Sequence, residues 1–209
     1  MRLTFGTAVY DDWDGLYFTL LSLRIHHAGQ FDELIVVDNH PDGVYHEMIS
    51  NLCKAVGARY IPLAEPIGTS PARQKIFEEA SGDVVAVADC HVLLFGGSLL
   101  ALRQYFALHP ESKDLLHGVL VYDHGDFATH FQDVWRKEMW GIWGKDPRGG
   151  NRNGKPFEIP GSGLGLFACR REAWPGFNPH CRLFGGEEMY IHEKVRRAGG
   201  RVLCHPAVR

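Results

Sequence analysis

Residues 83–94 read Asp83-Val84-Val85-Ala86-Val87-Ala88-Asp89-Cys90-His91-Val92-Leu93-Leu94, and the fold turns on them. The apolar and small run from Val84 to Val87, entered from a helix stop at Ser81-Gly82, predicts a buried strand. In an extended segment residues i and i+2 share a face, so the Asp89 carboxylate and the His91 imidazole are expected to project together. Open α/β sheets gather ligand chemistry at the carboxyl ends of such strands. The same polarity also serves a strand that simply returns to solvent, and the rest of the chain bears on the choice.

Working back from this strand, Ser70-Pro71 reads as a helix start, a capping hydroxyl followed by proline, with Ala72, Ile76, Phe77 and Ala80 as the buried face. Earlier still, Leu3–Val9, Leu34–Val37 and Arg59–Leu63 read as strands. Between them lie a helix capped by Asp14, carrying Leu16, Leu20 and Leu23, and a helix carrying Met48, Leu52 and Val56 up to Gly57. Working forward, Ser98 caps a helix that runs toward His109-Pro110. Strand and helix thus alternate through residues 1–110, the pattern of a doubly wound, mostly parallel α/β sheet flanked by helices. Beyond Pro110, Leu115–Tyr122, Leu164–Ala168 and a segment starting Arg201–Cys204 read as strands, and Gly186–Ala198 as a helix. The stretch about 144–160, rich in glycine and proline with Lys145, Arg148, Arg152 and Lys155, reads as a functional or flexible loop without helix or strand.

A chain of 209 residues with 45% hydrophobic and 22% charged residues is expected to form a single domain with a proper core. A formal charge of -3 speaks against a nucleic-acid partner. No apolar run approaches the roughly 18 residues of a membrane span, and Met1 leads straight into a strand-like segment, so no membrane span or signal peptide is expected. Five scattered cysteines without a Cys-x-x-Cys fit a reduced, cytoplasmic compartment.

Three strand ends, Thr7–Tyr10, Asp38-Asn39 and Asp89–His91, are expected to converge on one crevice. Asp89 and His91 suit a divalent cation such as Mn²⁺, since an imidazole joins the oxygen ligands, and His205 is a candidate for a further ligand. Glu187 and Glu188, after Phe184-Gly185-Gly186, open a helix. There the dipole alone stabilises them by about 0.3–1 kcal/mol, and there too a carboxylate can bind sugar hydroxyls or take a proton. Arg73 in a helix's first turn runs against the dipole, which an anionic partner offsets.

In this order the motifs resemble the GT-A (Rossmann-like) glycosyltransferases, chiefly family 2, over nearly the whole chain: ELIVVDNHPDG, GTSPARQKIFEEASGDVVAVADCHVLL, GSGLGLFACRREAW and PGFNPHCRLFGGEEMYIHEKVRRAGG. Asp89-Cys90-His91 stands where Asp-x-Asp is usual and is similar to the Asp-x-His of the polypeptide N-acetylgalactosaminyltransferases, as Phe184-Gly185-Gly186-Glu187 is to their Trp-Gly-Gly-Glu. Glu188 and Gln74 also depart from the usual Asp and Asn.

The resemblance implies a metal-dependent transfer of a sugar from a nucleoside diphosphate, a UDP-sugar first among them, to a hydroxyl of a glycan, lipid or protein. Asp38 would contact base or ribose, with Thr7, Ala8 and Val9 as pocket wall and Arg73 near the nucleotide. Asp89 and His91 would hold Mn²⁺ (or Mg²⁺) on the diphosphate. Glu187 and Glu188 would meet donor sugar and acceptor, Glu188 as general base if the enzyme inverts, and Trp140–Pro160 would form a lid. Residues 1–110 would be the nucleotide-sugar half and 111–209 the acceptor half of one domain. The related enzymes take a third metal ligand from a histidine soon after the last strand. That place falls at or just past Arg209, so His205 matches approximately and the chain is expected to stop short of a complete site. Two other readings are a sugar nucleotidyltransferase, whose glycine-rich basic N-terminal loop is missing here, and a non-catalytic module with a degenerate donor site.

Overall fold

The computed structural model of the protein describes residues 1–65, 68–137 and 139–209. Its spine is four parallel strands: β1 (Leu3–Val9), β2 (Glu33–Asp38), β3 (Arg59–Pro62) and β4 (Val84–Asp89). The helices α1 (Trp13–His26), α2 (His46–Val56), α3 (Thr69–Glu79) and α4 (Ser98–Leu108) alternate with them. Apolar runs with no polar alternation form β1, β2 and β4 because both sheet faces are covered. One face packs Leu3, Phe5 and Val9 against Leu16, Leu20 and Leu23 of α1, and against α4. The other packs Val85 and Val87 against Ala72, Ile76 and Phe77 of α3.

The second half extends the same sheet. β5 (Leu115–Gly118) and β12 (Val202–His205) run parallel to each other. β11 (Leu166–Arg170) lies between β4 and β5 and antiparallel to both, giving the order β10-β12-β5-β11-β4-β1-β2-β3, with β10 (Phe157–Glu158) as an antiparallel edge. A short pair, β6 (Leu120–Val121) and β7 (Phe127–Ala128), and the hairpin β8 (His130–Arg136)–β9 (Met139–Gly144) stand outside it. Helix α5 (Glu187–Arg197) packs Ile191 and Val195 onto the face that α3 covers.

Several local expectations are corrected. The cap of α1 is Asp12 rather than Asp14, its Oδ1 accepting the Gly15 N–H at 2.9 Å. Helix α3 begins at Thr69 after Gly68, and α4 at Ser98 after Gly97; neither has a side-chain cap, and Ser98 Oγ donates to the Phe95 and Arg209 carbonyls. On α2 the buried residues are Ile49 and Cys53, while Met48 is exposed. The 144–160 stretch is not structureless: Pro147–Gly150 forms a 3-10 turn capped by Asp146, and β10 pairs with β12. Among the described residues no helix is long and apolar enough to cross a membrane.

Candidate active site

Register brings the strand ends level. Val9 pairs with Asp38 and Ala8 with Asp89, so Thr7, Ala8 and Val9 end beside both acids. Side-chain alternation then sends the two carboxylates to opposite faces. Asp38, fully buried, points to the α2 side, where Tyr60 donates to Oδ2 at 2.6 Å and the His40 N–H to Oδ1 at 2.9 Å. Its neighbour Asn39 donates to the Gly68 carbonyl at 3.3 Å. Thr7 Oγ1 and Asn39 Oδ1 are buried without a hydrogen-bond partner among the described residues, and such atoms are rare unless a ligand or water meets them.

Asp89 faces α3. Arg73 Nη2 donates to Asp89 Oδ1 at 2.7 Å, and Arg73 Nη1 donates to Glu187 Oε1 at 3.1 Å. Thr69 Oγ1 adds a bond to the same Glu187 oxygen at 2.8 Å. With α3 starting at Thr69, Arg73 lies just past its first turn, and its guanidinium bridges the end of β4 and the start of α5, where its neighbours are carboxylates. The Gly68–Leu183 bridge brings the α5 approach to α3, and a Cβ on Gly68 (φ +130°) would strike the Leu183 backbone. Glu188, half-buried next to Glu187, is held above the usual carboxylate range by burial first and by the Glu187 charge second.

His91 does not share a face with Asp89. The strand ends at Asp89, and the Val92 N–H bonds back to the Asp89 carbonyl at 3.1 Å, turning the chain. His91 Nδ1 instead lies 3.3 Å from Asp12 Oδ2, to which Cys90 Sγ also donates at 3.6 Å. Asp12, Cys90 and His91 form the one group of three or more ligating side chains among the described residues. His205 does not join it. It ends β12, three strand positions from β4 or about 14 Å, where its Nδ1 accepts the Ala207 N–H at 3.2 Å and burial lowers its pKa to about 4.

The donor types at this strand end, though not on one face, are those a divalent cation takes. Asp89 Oδ2 and His91 Nε2 have no hydrogen-bond partner among the described residues, and an oxygen with an imidazole suits Mn²⁺. The residues that sequence reasoning missed are Asp12, Thr69, Tyr60 and Gly165, whose carbonyl accepts the Asp89 N–H at 3.0 Å. The run Asp11-Asp12-Trp13-Asp14 held the signal for Asp12 but not the choice among three acids. Outside this crevice, a cleft between the hairpin and α5 is lined by Asp133, Trp140, Glu158, Pro160, Met189 and Arg196.

The mostly parallel sheet flanked by helices is the GT-A fold of glycosyltransferases. The chain superimposes over its full length on 42% of a crystal structure of GalNAc-T7 with UDP, GalNAc and Mn²⁺, with a TM-score of 0.78 and 18% identity. It covers 98% of itself and 58% of the crystallised residues 1–349 of S. aureus TarS, with a TM-score of 0.66 and 13% identity. The chain belongs to the family described as Glycosyl transferase family 2, whose profile matches residues 4–174. Over 194 residues it is 26% identical to polypeptide N-acetylgalactosaminyltransferase 3 of Drosophila melanogaster, covering 83% of this chain and 29% of that relative's length.

Proposed function

We propose that this domain transfers a sugar from a nucleoside diphosphate, a UDP-sugar, to a hydroxyl acceptor with the help of Mn²⁺ or Mg²⁺. The observation that carries the reading is the Asp89–Arg73–Glu187 chain of ion pairs across the crevice. Glu187 spends Oε1 on Arg73 and Thr69 and leaves Oε2 to accept a sugar hydroxyl. Arg73 donates to both Glu187 and Asp89 and so holds the two carboxylates side by side as acceptors. Asp38 presents a buried carboxylate, oriented by Tyr60, to donors on the ribose or base. A cation held by Asp89 and His91 would act as a Lewis acid on the leaving diphosphate. Glu188, whose proton affinity is raised, would take the acceptor proton in an inverting reaction. Residues 111–209 form the acceptor side in this reading, the cleft at Trp140 and Met189 opening beside α5, and Trp140–Pro160 the lid.

The test is calorimetric titration with UDP and Mn²⁺, followed by an assay of UDP-sugar hydrolysis and transfer. Absence of both binding and turnover would remove the proposal. The displacement of His205 from the crevice favours a second reading, a non-catalytic donor-binding module, for which the same experiments would give binding without turnover.

A further inference from the structure

Asp12 uses its two oxygens differently. Oδ1 accepts the Gly15 N–H at 2.9 Å as the cap of α1, which fixes the carboxylate's rotation. Oδ2 is thereby aimed at the turn after β4, 3.3 Å from His91 Nδ1 and 3.6 Å from Cys90 Sγ. A carboxylate only accepts, so the ring nitrogen facing it carries the hydrogen. The lone pair of His91 is then on Nε2, which has no protein partner among the described residues, on a side chain 65% exposed. Histidines that bind metals donate their other ring N–H to a carboxylate or carbonyl, which sets tautomer and orientation. The Asp12–Cys90–His91 group is compact enough to resemble a metal site itself, with ligand atoms within 4.8 Å. Its atoms, however, are already joined by hydrogen bonds that converge on Asp12 Oδ2, and Cys90 is buried.

We propose that Asp12 is a positioning residue that holds His91 as its Nδ1–H tautomer and presents Nε2 to a divalent cation. The inference rests on the metal-dependent reading above, and it makes the first turn of α1 part of the site. Its reach is specific: changing one atom of Asp12 reverses the tautomer without removing the cap. In Asp12→Asn the amide oxygen is retained by the Gly15 N–H, so the amide N–H₂ faces His91 Nδ1 and the ring hydrogen is displaced to Nε2.

Two measurements test this. Long-range ¹H–¹⁵N correlation spectra on the metal-free protein, at a pH where the rings are neutral, read the tautomer of His91, assigned by loss of its signals in His91→Gln. The wild-type ring is expected as Nδ1–H and the ring of Asp12→Asn as Nε2–H; a wild-type Nε2–H ring overturns the inference. Paramagnetic-resonance titration of Mn²⁺ with UDP present reads affinity. Asp12→Asn and Asp12→Ser, both able to cap α1, are expected to weaken it about 10–100-fold, while Cys90→Ser leaves it unchanged. If the wild type binds and both Asp12 variants bind equally well, the positioning role fails and the metal reading stands. If the wild type binds no Mn²⁺, the metal reading fails and the inference with it. Cobalt substitution separates the remaining arrangement: a sulfur-to-cobalt charge-transfer band that Cys90→Ser abolishes would make Cys90 a ligand and overturn the proposal.

Discussion

Arg73 and Glu187 are 114 residues apart in the chain, and their side chains meet at 3.1 Å. Glu187 is 3% exposed and Arg73 7%, so the pair is shielded from water, and the second guanidinium nitrogen is committed to Asp89. Removing the cation strands a buried carboxylate, which costs about 3–5 kcal/mol. Arg73→Met is therefore expected to lower the melting temperature by about 6 °C or more for a chain of this size and to abolish donor binding. Arg73→Lys, a point charge instead of a fork, is expected to recover part of the stability but not both contacts. Thermal denaturation with UDP titration checks this; a stability loss below about 1 kcal/mol in Arg73→Met would mean an exposed, weakly coupled pair.

The free side of Asp89 is kept open by a glycine. A Cβ on Gly165 would lie 3.1 Å from Asp89 Oδ2, while Gly165 holds the Asp89 N–H through its carbonyl. Gly165→Ala is expected to crowd the oxygen left for a cation and to weaken Mn²⁺-dependent UDP binding about tenfold, or about 1.4 kcal/mol. UDP binding without metal should change far less. Calorimetry with and without Mn²⁺ separates the two, and equal losses in both would place the effect on the nucleotide instead.

The parallel half of the fold was legible because burial on both faces writes strands as uninterrupted apolar runs, as in Val84–Val87 and Leu34–Val37. Glu187-Glu188 could be read as a helix start because paired glycines precede them. What sequence spacing could not supply was pairing at a distance. The insertion of β11, antiparallel, between β4 and β5 is fixed by contacts such as Phe167 with both Val87 and His117. That insertion also moves β12, and His205 with it, away from Asp89. The i, i+2 rule failed at His91 for a local reason: the strand had already ended, and a turn carried the imidazole to Asp12.

His117 on β5 and His192 on α5 form a fully buried imidazole pair, Nε2 to Nε2 at 2.9 Å. Burial lowers the His117 pKa to about 3, and burial, then His117 and Arg196, lower that of His192. The unfolded chain binds these protons near 6.5 while the native pair stays neutral, so the unfolded state holds more protons below that value. Stability is therefore complete above pH 6.5 and falls as pH drops below it, in the case of His117 down to about 3. Each histidine contributes a slope of about 1.4 kcal/mol per pH unit within the window. Urea denaturation across a pH series should show this slope in the wild type and lose most of it in the double variant His117→Phe/His192→Leu. A slope that survives in the double variant would assign the acid sensitivity to other groups.

Glu188 has the opposite sign. Its folded pKa lies above the usual 4.5, because burial and the adjacent Glu187 charge oppose ionisation, so the unfolded chain loses this proton first as pH rises. The stability this group contributes is present below about 4.5 and is lost as pH rises through the folded value, because burial and then the Glu187 charge make the ionised form costly. Glu188→Gln removes that cost. It is expected to be more stable than the wild type at neutral pH, with the gain vanishing below pH 4.5, and to lose transferase activity if Glu188 is the base that takes the acceptor proton. The acidic limb of the wild-type activity profile should then lie above 4.5 and be absent from the residual activity of the variant. Denaturation at two pH values, together with UDP-sugar turnover, decides the matter. Stabilisation with full activity would leave Glu188 a strained structural carboxylate, whereas stabilisation with lost activity and retained UDP binding would place it on the reacting hydroxyl.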